Sequence, residues 1–351
     1  MTQKEVIIIG RINKGELPIG GETGKNQALV SGLSKYCKVY ELDFYKNKQR
    51  PWIFLQAIWT IFTHPHATLI LSSTASNVYL LMKIHKFISS KRNVIHWVIG
   101  GKFANYVQDG RYSPEILNKL RANIVESRAM NEMLYSCGVT NSEYVPNFKV
   151  IPYLPDINKR IALLKAATKV RFVYLSRVMK VKGVDLILEA SRKISQMEFN
   201  DKFEVDFYGL IEKGYESEFL GKVDSLNNVN YKGMLNLQQN KGYDTLASYH
   251  MMLFPTYHSS EGFAGVFIDS FIAGLPVITT PWHVNPEIID DKENGLFVEP
   301  KNVESLVETM LEVIEGKVDL EKMSRASQKY TNRYNVEKVL NKQLLSRLNI
   351  L

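Results

Sequence analysis

Two successive α/β domains, each a parallel sheet covered by helices, are the fold class this sequence predicts. Three observations carry that expectation. The chain has 351 residues, 45% of them hydrophobic and 23% charged, which suits a globular protein long enough for two cores. Short apolar runs alternate with helix-spaced stretches along its length, with no internal repeat and no low-complexity segment. The alternation stops once, around Pro146, Pro152 and Pro155, and then resumes.

In chain order, residues 6–10 read as a short buried strand, 23–36 as an amphipathic helix and 37–42 as a second strand. Further strands are expected at 67–71, 93–99 and 123–125, separated by helical stretches at 51–63, 76–90 and 128–137. Beyond the prolines the strand candidates are 171–175, 203–208, 229–231, 251–254, 276–279 and 295–298. The stretch 335–348 has helical spacing and no strand after it. The expected division is a first domain over 1–160, a second over 161–334, and a C-terminal helix in 335–351 that packs back on the first domain.

Composition narrows the function classes. Cys37 and Cys137 lie far apart and no secretory leader opens the chain, so a disulfide framework has no support and a reducing cytoplasm is the expected location. The longest apolar stretch, 52–62, is interrupted by Gln56 and Thr60 and is shorter than the roughly 20 residues of a membrane span. Residues 1–150 hold 19 Lys and Arg against 10 Asp and Glu, leaving 25 against 26 for the rest, so the excess positive charge lies wholly in the first half. Such asymmetry points to an anionic partner: a membrane surface, a phosphorylated acceptor or nucleic acid. Lys46, Lys48 and Arg50 lead into Trp52, Ile53, Phe54, Leu55, Ile58, Trp59, Ile61 and Phe62. That pattern fits an interfacial anchor on anionic lipid, and equally a buried crossover helix with a charged lead-in. Nucleic acid is disfavoured, because the aromatics cluster in an apolar helix and do not interleave with the cations.

Ligands of open parallel sheets bind beyond the carboxyl ends of the strands, so the loops there are where chemistry is expected. Gly20-Gly21, followed by Glu22-Thr23-Gly24-Lys25-Asn26, lets the backbone approach a phosphate or sugar at a helix start. A P-loop would need Gly in place of Ile19 and Ser or Thr in place of Asn26, and no G-x-G fingerprint is present. The alternative is a tight turn without a ligand. In the second half, Leu175-Ser176-Arg177-Val178-Met179-Lys180-Val181-Lys182-Gly183 places cations after a strand and ahead of a helix, a site a diphosphate would fit. Solvated surface charge is the plainer reading of that segment taken alone. Further on, 254–269 runs from a strand end through Glu261-Gly262-Phe263-Ala264 to Asp269, and Ala273-Gly274-Leu275-Pro276-Val277-Ile278 follows. Eight residues along a helix span about 12 Å, so two such carboxylates would accept hydroxyl hydrogen bonds at opposite ends of one ligand, although taken alone Glu261 reads as a helix-start charge and Asp269 as an exposed helical residue.

In this order the motifs resemble the retaining glycosyltransferase family 4 of GT-B fold, and the resemblance covers nearly the whole chain, most strongly 172–298. It rests on the R-x4-K-G segment, E-G-F, A-G-L-P-V-I, and N-P-E-I-I followed by N-G-L-F-V. The resemblance implies two Rossmann-like domains facing across a cleft. It implies that Arg177 and Lys182 bind the donor diphosphate, that Glu261 contacts the sugar hydroxyls, and that Asp269 contacts the ribose. The amides of Gly262, Phe263 and Ala264 would lie against sugar and phosphates, and Gly20 and Gly21 match the glycine turn near the reaction centre. Asp269 stands where the family usually has Glu. Ile99 stands where its strand-His-Gly segment has His; His96 nearby is a candidate acceptor-side base, but three residues away on a strand it faces the opposite side and reads first as a core or capping histidine.

The expected activity is hexosyl transfer with retention from a nucleotide-diphosphate sugar, a UDP-sugar foremost, to a glycan or lipid-diphosphate-linked acceptor. The basic first half, with its Trp-rich helix, points to a lipid-diphosphate-linked glycan at the inner face of the plasma membrane and to a peripheral place there, and the resemblance to enzymes of capsular and exopolysaccharide synthesis agrees. Arg177, Lys182 and the amides at 262–265 would stabilise the leaving diphosphate in a site closed between the domains. Neither metal nor cofactor is expected, since no D-x-D pair is present and the cations supply the charge. A non-catalytic subunit of the same fold is the rival reading, with Ile99 and Asp269 as its signs. A sugar-nucleotide epimerase of the same fold would need acid and base carboxylates that the sequence does not place.

Overall fold

The computed structural model describes residues 3–18, 20–88 and 92–351, without the side chains of 85–88, so Ile19 of the glycine turn lies outside it. The chain separates into two compact units. The first comprises Met1–Val150, Ser260–Gly265 and Arg333–Leu351, and the second Ile151–Ser259 and Val266–Asn332. The change of unit therefore falls at 150/151, ahead of the expected 160/161, and a short inner segment, 260–265, groups with the first unit.

The first unit is a six-stranded parallel sheet in the order β2-β1-β3-β4-β5-β6. Its strands are β1 (Glu5–Gly10), β2 (Lys38–Asp43), β3 (Thr68–Ser73), β4 (Val94–Val98), β5 (Ala122–Val125) and β6 (Ser142–Tyr144). The helices between them are α1 (Gly21–Leu33), α2 (Ile53–Thr63), α3 (Ala75–Ile88), α4 (Phe103–Gln108), α5 (Pro114–Leu117) and α6 (Arg128–Ser136). Strands such as Val6-Ile7-Ile8-Ile9 are apolar at every position because helices cover both faces. One face packs α2 to α6, with Ile7, Ile9, Leu69 and Leu71 meeting Ala57, Ile61, Val78, Met82, Phe103 and Leu134. On the other, Val6, Ile8, Ile70 and Ile124 meet Leu29 and Leu33 of α1.

The second unit is also a six-stranded parallel sheet, ordered β12-β11-β10-β7-β8-β9. It comprises β7 (Val170–Leu175), β8 (Phe203–Tyr208), β9 (Val229–Tyr231), β10 (Met251–Phe254), β11 (Val277–Thr279) and β12 (Gly295–Phe297). Its helices are α7 (Ile157–Ala166), α8 (Val184–Ser195), α9 (Glu216–Asp224), α10 (Asn240–Ala247), α11 (Val266–Ile272), α12 (Val303–Ile314) and α13 (Leu320–Tyr330).

The chain's end returns to the first unit. Lys149 pairs in parallel with Asn335, and Val336, Leu340, Leu344, Leu345, Leu348 and Ile350 join the α1 face of the first core. The single helix expected over 335–348 is in fact two short ones, α14 (Val336–Val339) and α15 (Lys342–Arg347). Asn341 divides them, its side chain accepting the Leu344 amide as a helix cap. Among the described residues no helix is long and apolar enough to cross a membrane, and both cysteines are free.

The stretch 52–62 is not a buried crossover helix. Only Ile53, Ala57 and Ile61 of α2 enter the core, and Phe54, Leu55, Ile58, Trp59 and Phe62 remain exposed.

Candidate functional site

In the second unit, two loops at the carboxyl ends of neighbouring strands are joined. After β7 the chain runs through Arg177 to a turn of 3-10 helix at Lys180–Lys182, and Gly183 caps α8. After β10, which pairs with β7, it runs through Pro255, Thr256, Tyr257 and His258. The Tyr257 amide donates to the Val181 carbonyl at 3.0 Å, and the Lys182 ammonium lies 5.3 Å from the centre of the Phe254 ring. Gly183 has φ of 84°, and a Cβ there would sit 2.4 Å from the Pro255 carbonyl oxygen. Glycine is thus required twice, by the left-handed backbone and by the approach of the second loop. Lys182 is thereby held, buried, at the start of α8, where helix amides and ammonium together favour an anion.

Arg177 is brought to the same end of the sheet on the β8 side. The Val178 amide donates to the Leu210 carbonyl at 2.8 Å, and the Tyr174 hydroxyl donates to the Arg177 carbonyl at 2.6 Å. Its guanidinium is exposed and has no acidic partner among the described residues. Asp269 lies inside α11, buried, and accepts a hydrogen bond from the Tyr243 hydroxyl at 3.0 Å. Burial beside that carboxylate raises the Tyr243 phenol far above its usual range, so it remains a donor.

Glu261 and Asp269 do not share a helix. α11 starts at Val266, and Ser260–Gly265 is an irregular segment belonging to the first unit. There it rests on the turn after β4: a Cβ on Gly101 would lie 2.4 Å from the Glu261 carbonyl oxygen and 3.0 Å from the Gly262 amide. The Asn147 side chain donates to the Phe263 carbonyl at 3.4 Å, and the Phe263 ring meets Tyr334 edge-on at 5.2 Å. Phe263 and Ala264 are buried, and Glu261 is half-buried. Backbone contact with Gly100-Gly101 has displaced the helical path that the spacing of the two acids suggested.

Gly20 and Gly21 stand at the start of α1 as expected, with the Gly20 amide donating to the Thr23 hydroxyl at 3.2 Å. Around them is a cluster that sequence reasoning missed. Lys25 is fully buried one turn into α1, paired with Glu126 beyond β5 and donating to the Val98 carbonyl at 3.4 Å. Burial pushes its ammonium pKa down, against the pull of Glu126. Asn26 ties the helix to the strand ends by donating to the carbonyls of Arg11, at 3.0 Å, and Ser72, at 3.1 Å. The Glu22 carboxylate accepts from the Ser73 hydroxyl at 2.9 Å and lies 3.6 Å from Arg11. Burial raises its pKa despite both neighbours. Lys25 and Glu126 lie 101 positions apart, and no local pattern announces such a pair.

His96 lies within β4, wholly buried, its ring 5.0 Å from Phe103 and its Nε2 3.4 Å from the Ser73 carbonyl oxygen. Burial, with Lys25 nearby, lowers its pKa to about 4, so the imidazole is neutral at physiological pH. A cavity of about 350 Å³ lined by Arg121, Asn141, Glu143 and Arg347 lies at the amino ends of β5 and β6, the opposite end of the sheet from these loops.

Residues 156–330 match the family described as glycosyl transferases group 1. An uncharacterized glycosyltransferase of Methanocaldococcus jannaschii is 28% identical over 170 residues, 47% of this chain and 44% of that protein, so the match spans less than half of the relative's length. Among solved structures, Anabaena HepE in complex with UDP and glucose superposes with a TM-score of 0.71 and 16% identity over the whole of both chains. Sucrose-phosphate synthase from Thermosynechococcus elongatus does so with a TM-score of 0.75 and 14% identity, over 99% of each chain. The chain therefore carries a glycosyl transferases group 1 domain, and its two six-stranded parallel α/β units match those of GT-B glycosyltransferases.

Proposed function

We propose that this protein is a retaining, metal-independent glycosyltransferase of family 4 that uses a UDP-sugar donor. The observation that carries the reading is the joined pair of loops that holds Lys182 buried at the start of α8, inside the matched domain. The UDP and glucose bound to HepE, a protein of the same fold, support the choice of donor.

Lys182 and Arg177 take the diphosphate, Glu261 the sugar hydroxyls, and Asp269, steadied by Tyr243, the ribose. Gly262, Phe263 and Ala264 present backbone to the sugar, with Gly20 and Gly21 near the reacting carbon. The bond from the anomeric carbon to the donor phosphate oxygen breaks, and the acceptor oxygen bonds to that carbon on the same face. The acceptor proton passes to the departing phosphate oxygen. No protein base is needed for that transfer, which accords with the complete burial of His96 and with Ile99 beyond it. The cations stabilise the charge that develops on the leaving group, so transfer is expected to persist in a metal chelator. A glycan or lipid-diphosphate-linked acceptor at the inner face of the membrane, in capsule or exopolysaccharide synthesis, fits the basic first half of the chain.

The test is turnover of UDP-sugars by the purified protein and by Lys182→Ala and Glu261→Ala, with thermal stabilisation by UDP measured in parallel. Lys182→Ala is expected to lose both UDP stabilisation and transfer. Glu261→Ala should keep the first and lose at least about a hundredfold of the second. Near-native rates in either variant would refute these roles. UDP binding without turnover of any donor would mark a non-catalytic subunit.

A further inference from the structure

The outward face of α2 has no role in the chemistry above. Ile53, Ala57 and Ile61, at i, i+4 and i+8, face the sheet, and this register turns Phe54, Leu55, Ile58, Trp59 and Phe62 away from it. Trp59 is 70% exposed and Phe62 81%, and Trp52 stands exposed just ahead of the helix. α3 packs Val78 and Met82 into the same core as α2 and leaves Leu80 and Ile84 exposed, so both helices present apolar side chains on one side of the sheet. A run of large apolar side chains on one surface is unusual for a protein surrounded by water alone.

The charge around it is equally one-sided. Residues 44–108 contain no Asp and no Glu, but include Lys46, Lys48, Arg50, Lys83, Lys86, Lys91, Arg92 and Lys102, a surplus equal to the +8 of the whole chain. Lys46, Lys48 and Arg50 are exposed at the amino end of α2 and have no acidic partner among the described residues. Among the described residues, Lys83 lies over the Tyr79 ring at 4.9 Å, and Arg92 donates to the Ile61 and His64 carbonyls at 2.7 and 3.0 Å, where α2 ends.

We propose that α2, with the exposed flank of α3, is a monolayer-insertion face that docks the first unit on a bilayer leaflet containing anionic lipid. Trp59, Phe62, Leu55 and Ile58 enter the boundary between headgroups and acyl chains, and Lys46, Lys48 and Arg50 meet the lipid phosphates. Tryptophan suits that depth, with an apolar ring and one donor for the wet side. A second copy of the chain fits less well, because a two-fold interface on α2 would bring this basic, acid-free segment against its own copy. The inference deepens the lipid-linked acceptor reading, and rests on it for its purpose: such an acceptor stays in the leaflet, and the enzyme must come to it.

The experiment is co-sedimentation of the full chain with vesicles of phosphatidylcholine, alone or mixed with phosphatidylglycerol, with UDP stabilisation followed on the same samples. Binding to the mixed vesicles is expected, weaker without the anionic lipid and at high salt. Trp59→Ser/Phe62→Ser should lower partitioning at least about tenfold, as loss of two buried apolar side chains requires. Lys46→Glu/Lys48→Glu/Arg50→Glu should do the same. Both variants should keep native UDP stabilisation, which separates loss of docking from loss of fold. Failure of the native protein to bind mixed vesicles, or equal binding by both variants, overturns the proposal. So does a dimer in solution that Trp59→Ser/Phe62→Ser dissociates and that ignores vesicles. Vesicle binding by a native protein that UDP does not stabilise would support this face and sink the donor assignment alone.

Discussion

α2 in the first unit and α8 in the second do the same architectural job, each packing on a six-stranded parallel sheet, yet they treat their outer faces in opposite ways. α8 buries Val184, Ile187, Leu188, Ala190 and Ile194, and its outward side chains are charged and paired. Arg192 meets Glu189 at 2.6 Å, Lys193 meets Glu304, and Asp185 accepts from Lys222 and Tyr215. α2 buries three side chains and leaves Phe54, Leu55, Ile58, Trp59 and Phe62 exposed around them. A sheet can cover only one stripe of a helix. Apolar residues beyond that stripe add little to the fold, and their concentration in α2, with Leu80 and Ile84 of α3 beside it, is what the proposed docking face accounts for.

The largest predicted effect concerns what the two units share. His96 in the first and His250 in the second are both buried, and both have pKa values lowered to about 4, chiefly by burial. For His250 the charges of Arg160 and Arg171 add to it, and its Nδ1 accepts the Arg171 amide at 3.0 Å. The unfolded chain binds these protons at an ordinary histidine pKa and the folded chain does not. Stability should therefore be full above about pH 6.5 and fall as the pH drops toward 4, by up to about 3 kcal/mol for each ring. Urea midpoints unchanged from pH 7 to 4.5 would show that the rings titrate freely in the native state.

Next in size is the contrast between the helices. Leu188→Ser in α8 should cost about 3 to 5 kcal/mol, combining a cavity with an unsatisfied hydroxyl. Phe62→Ser in α2 should change stability by less than about 0.5 kcal/mol. Chemical denaturation of both decides it, and a comparable loss from Phe62→Ser would erase the distinction.

Stability losses of about 1 to 2 kcal/mol each, below that of Leu188→Ser, are expected from two glycine substitutions that separate the units by function. Gly183→Ala strains a left-handed residue and displaces the Pro255 loop, so it should weaken UDP binding. Gly101→Ala moves the Glu261 backbone, so it should lower kcat with UDP binding intact. Identical kinetic profiles would contradict that assignment of roles.

Legibility in the sequence tracked locality. Strands β8, β9 and β10 coincide with the stretches expected for them, and β10, Met251-Met252-Leu253-Phe254, buried throughout between β7 and β11, shows the clearest signal, because a parallel strand covered on both faces needs a continuous apolar run. β6, Ser142-Glu143-Tyr144, was not foreseen: as an edge strand it pairs on one side and carries no apolar run. The Lys182-Gly183 segment was readable because strand, turn and helix start are consecutive. The Lys25–Glu126 pair and the Glu22–Ser73 contact were not, since each joins the ends of different strands.

By itself the sequence determined the two parallel α/β units, the cationic loop at the start of α8 and the confinement of positive charge to the first half, because each follows from neighbouring residues or from counting. Only the tertiary structure decided that Glu261 rests on the Gly100-Gly101 turn and not on α11, that Asp269 is held by Tyr243, and that α2 turns its aromatic side outward. Those outcomes depend on which surfaces distant segments offer one another, and periodicity along the chain carries no record of what lies opposite.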